Sequence, residues 1–152
     1  MNKDDKYFMK CAIRLAKLAE VDEEVPVGAV LVLNNIIIGH GSNSSISKHD
    51  PTAHAEIIAF RAGGTVLKNY RLLNTTLYVT LEPCFMCYGA IIHSRISRLV
   101  FGASYNNKND YFCLNNDLLR VIKKNNITVT KNILKKECRN ILKNFFWNKR
   151  KK

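Results

Sequence analysis

The stretch "NTTLYVTLEPCFMCYGAIIHSRISRLVFGA", residues 74–103, decides the fold class. Its first part, "TTLYVTLE", is rich in β-branched and aromatic residues and reads as a strand. Pro83 follows at a place where helices accept proline, in the first turn, and the apolar spacing predicts a helix to about His93. "RLVFGA" is a strand again. A strand, a helix and a second strand in succession form the unit of a layered α/β sheet.

The flanking segments continue the pattern. Residues 5–19 carry Phe8, Ala12, Leu15, Ala16 and Ala19 at helical spacing, with Asp4 or Asp5 as the expected N-cap. Val27 to Leu33, the pair Asn34-Asn35 and Ile36 to Gly41 read as a hairpin around a tight turn. Its apolar runs are nearly continuous, so both faces of the sheet are expected to be covered. Thr52 is the expected cap of a helix that runs to about Ala62, stopped by Gly63-Gly64. After residue 103, "NNDLLRVIKKNN" predicts a short helix, "ITVT" a fifth strand, and "ILKKECRNILKNFFWNKRKK" a long closing helix. No repeat or linker divides the chain, and residues 1–152 are expected to form a single domain.

An apolar fraction of 47% in 152 residues is that of a globular protein able to bury a core without disulfides. No apolar run approaches the length that spans a bilayer, and "MNKDDKYFMK" lacks the apolar segment of a signal peptide. A cytoplasmic location, with no membrane partner, is the expectation. Five cysteines without an export signal are then expected to be reduced thiols. Cys11 and Cys138 sit within helical patterns as small core residues, and Cys113 has no partner at motif spacing. The net charge of +12 suits a polyanionic partner such as nucleic acid. An A/T-rich coding sequence also enriches lysine and asparagine, so the placement of the charge has to decide.

Two short segments carry the chemistry. "TAHAEIIAF", residues 52–60, puts Glu56 two residues after His54 at a helix start; "LEPCFMCYGA", residues 81–90, puts Cys84 and Cys87 one turn apart. Thiols at i and i+3 share a helix face, and the backbone N–H groups of a helix start favour thiolate over thiol. One imidazole and two thiolates suit zinc and leave the fourth tetrahedral position for water, as catalytic sites do. A structural site would be closed by a fourth ligand, and no second CxxC or HxxxH stands nearby to supply it. A carboxylate such as Glu56 beside that position can take a proton from water and return it to a leaving group. Taken singly, CxxC could be a redox pair and HxE an accident of surface residues; in combination they point to one zinc per chain. His40, His49 and His93 lack such spacing and read as surface or supporting histidines.

The combination HAE with PCxxC resembles the signature of the zinc-dependent nucleobase deaminases. "EVPVGAVLV", "DPTAHAEIIA", "NYRLLNTTLYVTLEPCFMC" and "GAIIHSRISRLVFGA" resemble, within them, the bacterial tRNA-specific adenosine deaminase family, from about residue 7 to residue 103 and again in the last helix. The resemblance implies a three-layer cytidine-deaminase-like α/β fold, a five-stranded mixed sheet flanked by helices, usually as a homodimer. It implies hydrolysis of adenosine to inosine at the wobble position of the anticodon stem-loop of a tRNA, with release of ammonia. By position, His54, Cys84 and Cys87 match the zinc ligands, Glu56 the proton shuttle, and Asn43 the asparagine that hydrogen-bonds the flipped base.

Two places depart from the family pattern. "SYNNKNDYFCLNND", residues 104–117, stands where an Asp and a Gly-rich loop are usual, and Tyr105, Tyr111 and Phe112 are candidates to stack on bases. Tyr88 follows Cys87 where a small residue is usual, with the dimer contact or the pocket as the expected place of its effect. In the tail "NFFWNKRKK", the aromatics are expected to pack at least in part on the body, and the cations to face RNA. The rival readings are a deaminase of free nucleosides or bases, and a deaminase-like module that binds tRNA without reacting; Glu56 argues against the second.

Overall fold

The computed structural model describes residues 3–105 and 115–152. Its strands are β1 (Gly28–Leu33), β2 (Ile36–Ser42), β3 (Thr76–Leu81), β4 (Arg98–Ala103) and β5 (Thr128–Thr130). Its helices are α1 (Lys3–Val21), α2 (Ala55–Leu67), α3 (Phe85–Ser94), α4 (Asn116–Lys124) and α5 (Lys135–Lys151). The strands form one mixed sheet in the order β2-β1-β3-β4-β5. β1 is antiparallel to β2 and β3, whereas β3, β4 and β5 are parallel neighbours. The five-stranded mixed sheet and its flanking helices are those expected from the sequence. No described helix is long and apolar enough to cross a membrane.

Alternation along the strands divides the core into two layers. Ala29, Leu31, Leu77, Val79, Leu99 and Phe101 pack with Ala55 and Ala59 of α2, Tyr88 and Ile91 of α3 and Ile122 of α4. Val30, Val32, Tyr78 and Val100 pack on the other face with Phe8, Met9 and Ala12 of α1 and Cys138 of α5. Both faces are therefore covered, which is why the hairpin reads as continuous apolar runs. Asn34 and Asn35 adopt φ of 49° and 62°, the left-handed pair that a two-residue hairpin turn requires.

Four local expectations need correction. Asp4 and Asp5 lie inside the first turn of α1 instead of capping it. Asp5 is buried, and its carboxylate accepts from the Tyr78 hydroxyl at 2.8 Å and from the Arg98 guanidinium at 2.8 and 2.9 Å. The second helix starts after His54 and runs through Gly63 and Gly64 to Leu67, ending where Lys68 turns left-handed at φ 52°. Those glycines are not a stop. A Cβ on Gly39 of β2 would stand 2.8 Å from Gly63 N, so this region of α2 is the place where strand and helix backbones touch. Thr52 turns back on Asp50, whose carboxylate accepts from Thr52 N–H at 2.8 Å and from its hydroxyl at 2.7 Å. Tyr88 is fully buried in the α2/α3 layer, away from the surface where it was expected to act on a dimer contact. Cys138 is buried and Cys11 half-buried beside the α1 layer. Tyr111, Phe112 and Cys113 lie outside the described residues.

Candidate active site

Two helix N-termini converge beyond the end of β3. His54 is the N-cap residue of α2 and Cys84 that of α3, both with extended backbone. Cys87 follows in the first turn of α3 and is fully buried. Proline before Cys84 ends the strand and delivers the thiol at the helix entrance, where unpartnered backbone N–H groups favour anions.

The His54 Nδ1 atom stands 3.5 Å from Cys84 Sγ and 3.5 Å from Cys87 Sγ. All three donor atoms lie within 4.8 Å of one another, the group among the described residues that could hold a metal. Zinc bond lengths to nitrogen and sulfur, at a tetrahedral angle, place such a pair about 3.6 Å apart. The donor set and its spacing thus fit one zinc.

The electrostatics agree. The Cys84 thiol is pulled down to about 4, first by the hydrogen bond from Cys87 and then by that from His54. Its thiolate in turn pushes the neighbouring Cys87 up, with burial adding to the effect. His54 is raised by the hydrogen bond to Cys84. Two neighbouring thiols, Cys84 half-buried and Cys87 buried, that share a proton in this way are ready to exchange it for a divalent cation.

Glu56 lies in the first turn of α2, 4% exposed, and burial raises its carboxyl to about 7. It lines a pocket of about 190 Å³ together with His54, Cys84 and Asn43. Asn43 is fixed by its own hydrogen bonds: Nδ2 donates to Val25 O at 3.3 Å, and Oδ1 accepts from the Ser45 hydroxyl at 3.3 Å. Asn43, His54, Glu56 and Cys84 therefore line one cavity, and the buried Cys87 stands 3.5 Å from His54 behind its wall. His40, His49 and His93 are all exposed and lie away from it.

Sequence reasoning missed the rest of the pocket. Val25, Val27, Leu81, Glu82 and Tyr105 complete its wall. They come from the entrance to β1 and the exits of β3 and β4, which meet because β1 is antiparallel to β3 and β4 parallel to it. Crevices at the carboxyl ends of parallel strands are the usual ligand sites of such sheets, a rule usable only once the strand order is known. Glu24 was missed as well. It is 1% exposed, and its Oε1 accepts from Ser47 N–H at 2.7 Å, tying the segment between Asn43 and His54 to the end of α1.

Comparison with known proteins agrees with this arrangement. The cytidine and deoxycytidylate deaminase zinc-binding region matches residues 2–103. A tRNA-specific adenosine deaminase of Buchnera aphidicola subsp. Baizongia pistaciae is 65% identical, covering 99% of this chain and 93% of that protein. Its counterpart from Haemophilus influenzae is 52% identical over 96% of this chain and 85% of that protein. A structure from a study of A-to-I editing by tRNA:A34 deaminases superposes with a TM-score of 0.79 at 36% identity, covering 90% of this chain and 99% of that one. The guanine deaminase of Nitrosomonas europaea, at 22% identity and a TM-score of 0.84 over 92% of this chain and 83% of that one, shares the fold. The HAE and PCxxC segments that the two helix starts bring together lie inside the matched region, and the chain belongs to the tRNA-specific adenosine deaminases of the cytidine and deoxycytidylate deaminase zinc-binding family.

Proposed function

We propose that the chain converts adenosine to inosine at wobble position 34 of a tRNA anticodon, with His54, Cys84 and Cys87 holding the zinc, Glu56 moving the proton and Asn43 orienting the base. The observation that carries the assignment is the placement of a buried carboxylate beside a zinc-spaced donor trio, in a pocket of single-base size. Zinc, when bound, supplies a Lewis acid that brings the pKa of water toward ~7.

The chain's own groups then account for the transfer. The base leaves its stack to enter a cavity too small for a base pair. Asn43, its amide already fixed by Val25 and Ser45, presents a donor and an acceptor to the purine edge. Glu56 accepts a proton from water as the water oxygen bonds to C6, and delivers a proton to the exocyclic nitrogen as the C6–N bond breaks. One water is consumed, and inosine and ammonia are formed. Glu24 holds the segment that carries both Asn43 and His54, so base and metal donors keep one register.

The protein works as a homodimer in the cytoplasm, where it binds tRNA. Tyr70, Leu73, Phe85 and Met86 stand exposed along the α2/α3 layer, apolar surface that a second copy would cover. Light scattering should give twice the chain mass. The substrate is tested with the zinc-loaded protein on an anticodon stem-loop with adenosine at position 34, on free adenosine and on free cytidine. Inosine should form in the stem-loop alone. Turnover of a free nucleoside at an equal rate, or none on the stem-loop, would overturn the substrate assignment.

A further inference from the structure

We propose that the outer face of α1 is a docking surface for the phosphate backbone of duplex RNA, which the stem of the substrate tRNA supplies. The tRNA part rests on the substrate proposed above. At about 100° per residue, Lys3, Lys6, Lys10, Arg14 and Lys17 fall within an arc of about 80° on the helix surface. All five are exposed. The arc has six members, and the sixth, Val21, is uncharged. Lysine and arginine make up 24 of the 152 residues, so five in six is a concentration that a lysine-rich composition does not account for. The acids of the helix lie elsewhere: Asp4 and Glu20 fall outside the arc, and Asp5 is buried.

The arrangement works against the helix that carries it. Like charges at i and i+4, here Lys6 with Lys10 and Lys10 with Arg14, repel, and Lys3 and Lys6 sit at the positive end of the helix dipole. A face needed only for solubility gains more from mixed signs. None of the five cations is ion-paired among the described residues, so their fields add along about 21 Å of helix. The apolar side of α1, with Phe8, Met9, Ala12 and Ile13, is packed on the sheet. That sheet face is the one away from α2 and α3, so a second copy covering the α2/α3 layer leaves the arc open.

The chemistry of the arc selects the partner. It holds charge and no ring; Tyr7, at its border, packs edge-on against Phe8 with ring centres 5.2 Å apart. Without a stacking platform or a side-chain amide the arc reads no base, and it offers a straight row of cations one helical turn apart. A duplex presents its phosphates as an equally regular and rigid row. An anionic membrane is the other extended polyanion, but a helix that lies in a membrane inserts its apolar face, and that of α1 is already buried. Position agrees with RNA. α1 ends at Val21, four residues before Val25 in the wall of the catalytic pocket, so the arc begins near that pocket at Lys17 and runs away from it to Lys3. A stem whose loop enters the pocket also leads away from it.

The experiment measures binding of tRNA to the zinc-loaded full chain across a salt series. Lys6→Gln with Lys10→Gln and Arg14→Gln should lower the log–log salt slope by roughly 2.7, at about 0.9 per duplex phosphate, and raise Kd about tenfold at physiological salt. Arg120→Gln with Lys123→Gln and Lys124→Gln removes as much charge from α4 and should leave the slope unchanged. Both triple variants should bind a single strand carrying only the anticodon loop as the wild type does. Tm of the α1 variant should hold or rise, because mutually repelling charges are removed, and its single-turnover rate at saturating protein should match the wild type. A wild-type slope in the α1 variant, an equal fall in the α4 variant, or a loss on the single strand equal to that on tRNA would overturn the docking surface. Vesicles rich in phosphatidylserine that bind the wild type and not the α1 variant would overturn it in favour of a membrane. Failure of the wild type to deaminate a tRNA whose binding still shows the slope difference would refute the substrate and leave the docking surface standing.

Discussion

The replacement Gly41→Ala tests whether contact between β2 and α2 sets the position of the catalytic groups. Gly41 lies in β2 under the first turns of α2, the helix that starts at His54 and carries Glu56. An added Cβ would stand 2.9 Å from Ala59 N and 2.9 Å from Ile58 Cβ, and nearer still to Ala55 O. Ordinary contact begins at 3.4 Å, so α2 must withdraw by at least 3.4 − 2.9 = 0.5 Å, and by about 1 Å to clear the Ala55 carbonyl. The φ of Gly41 is not positive, so packing alone resists the change. Overpacking of this kind costs about 1–3 kcal/mol, and Tm shifts by about 2–4 °C per kcal/mol for a chain of this size. A catalytic group moved by ~1 Å loses about a hundredfold in rate. Gly41→Ala should therefore lower Tm by several degrees and the single-turnover rate by roughly 10- to 100-fold. Gly64→Ala is the control, since its Cβ would meet only Asn69 O at 3.3 Å and alanine favours a helix by roughly 1 kcal/mol. It should leave the rate unchanged and Tm equal or higher. Calorimetry and stem-loop kinetics on both variants decide, and wild-type Tm and rate in Gly41→Ala would refute the reasoning.

Other expectations follow from the same geometry. Asp5→Asn should cost roughly 2–3 kcal/mol at neutral pH, less than the loss for a fully buried pair because Arg98 keeps part of its guanidinium in water. Hydrogen bonds from Arg98 lower the Asp5 pKa, so this contribution is complete above the ordinary carboxylate pKa and disappears as pH falls through the depressed one; denaturation of both proteins from pH 7 to pH 2 should show the difference shrinking only at the acid end. Metal analysis should find one zinc per wild-type chain and none after removal of both thiols, Cys84→Ala with Cys87→Ala; full occupancy in the double variant would exclude them as ligands. Asn43→Ala should keep zinc and fold but slow single-turnover deamination at least tenfold, and a wild-type rate would remove Asn43 from base recognition.

Much of this was legible in the sequence where one segment contains the whole signal. The run from Thr76 to Ala103 carries its own strand, helix start and second strand, and their order follows from local chemistry. Likewise HAE and PCxxC each hold their donors within one helix start, so spacing alone pairs them. What stayed hidden depends on contacts between distant segments. Gly63-Gly64 reads as a helix stop until Gly39 is known to lie against it. Asp5 reads as a cap until Arg98 and Tyr78 are placed beside it. Val25, Leu81 and Tyr105 acquire meaning only when β1, β3 and β4 become neighbours. The tail aromatics divide in the same way, Phe145 turning inward and Phe146 and Trp147 outward, a choice set by which face of α5 meets the sheet.

The most direct test of the catalytic assignment is single-turnover deamination of the stem-loop by Glu56→Gln. The amide keeps the size of the carboxylate and loses its capacity to accept and return a proton. Zinc content and stem-loop Kd should match the wild type, while inosine formation should fall by 10²-fold or more. A variant with full zinc, wild-type affinity and a wild-type rate would show that another group moves the proton.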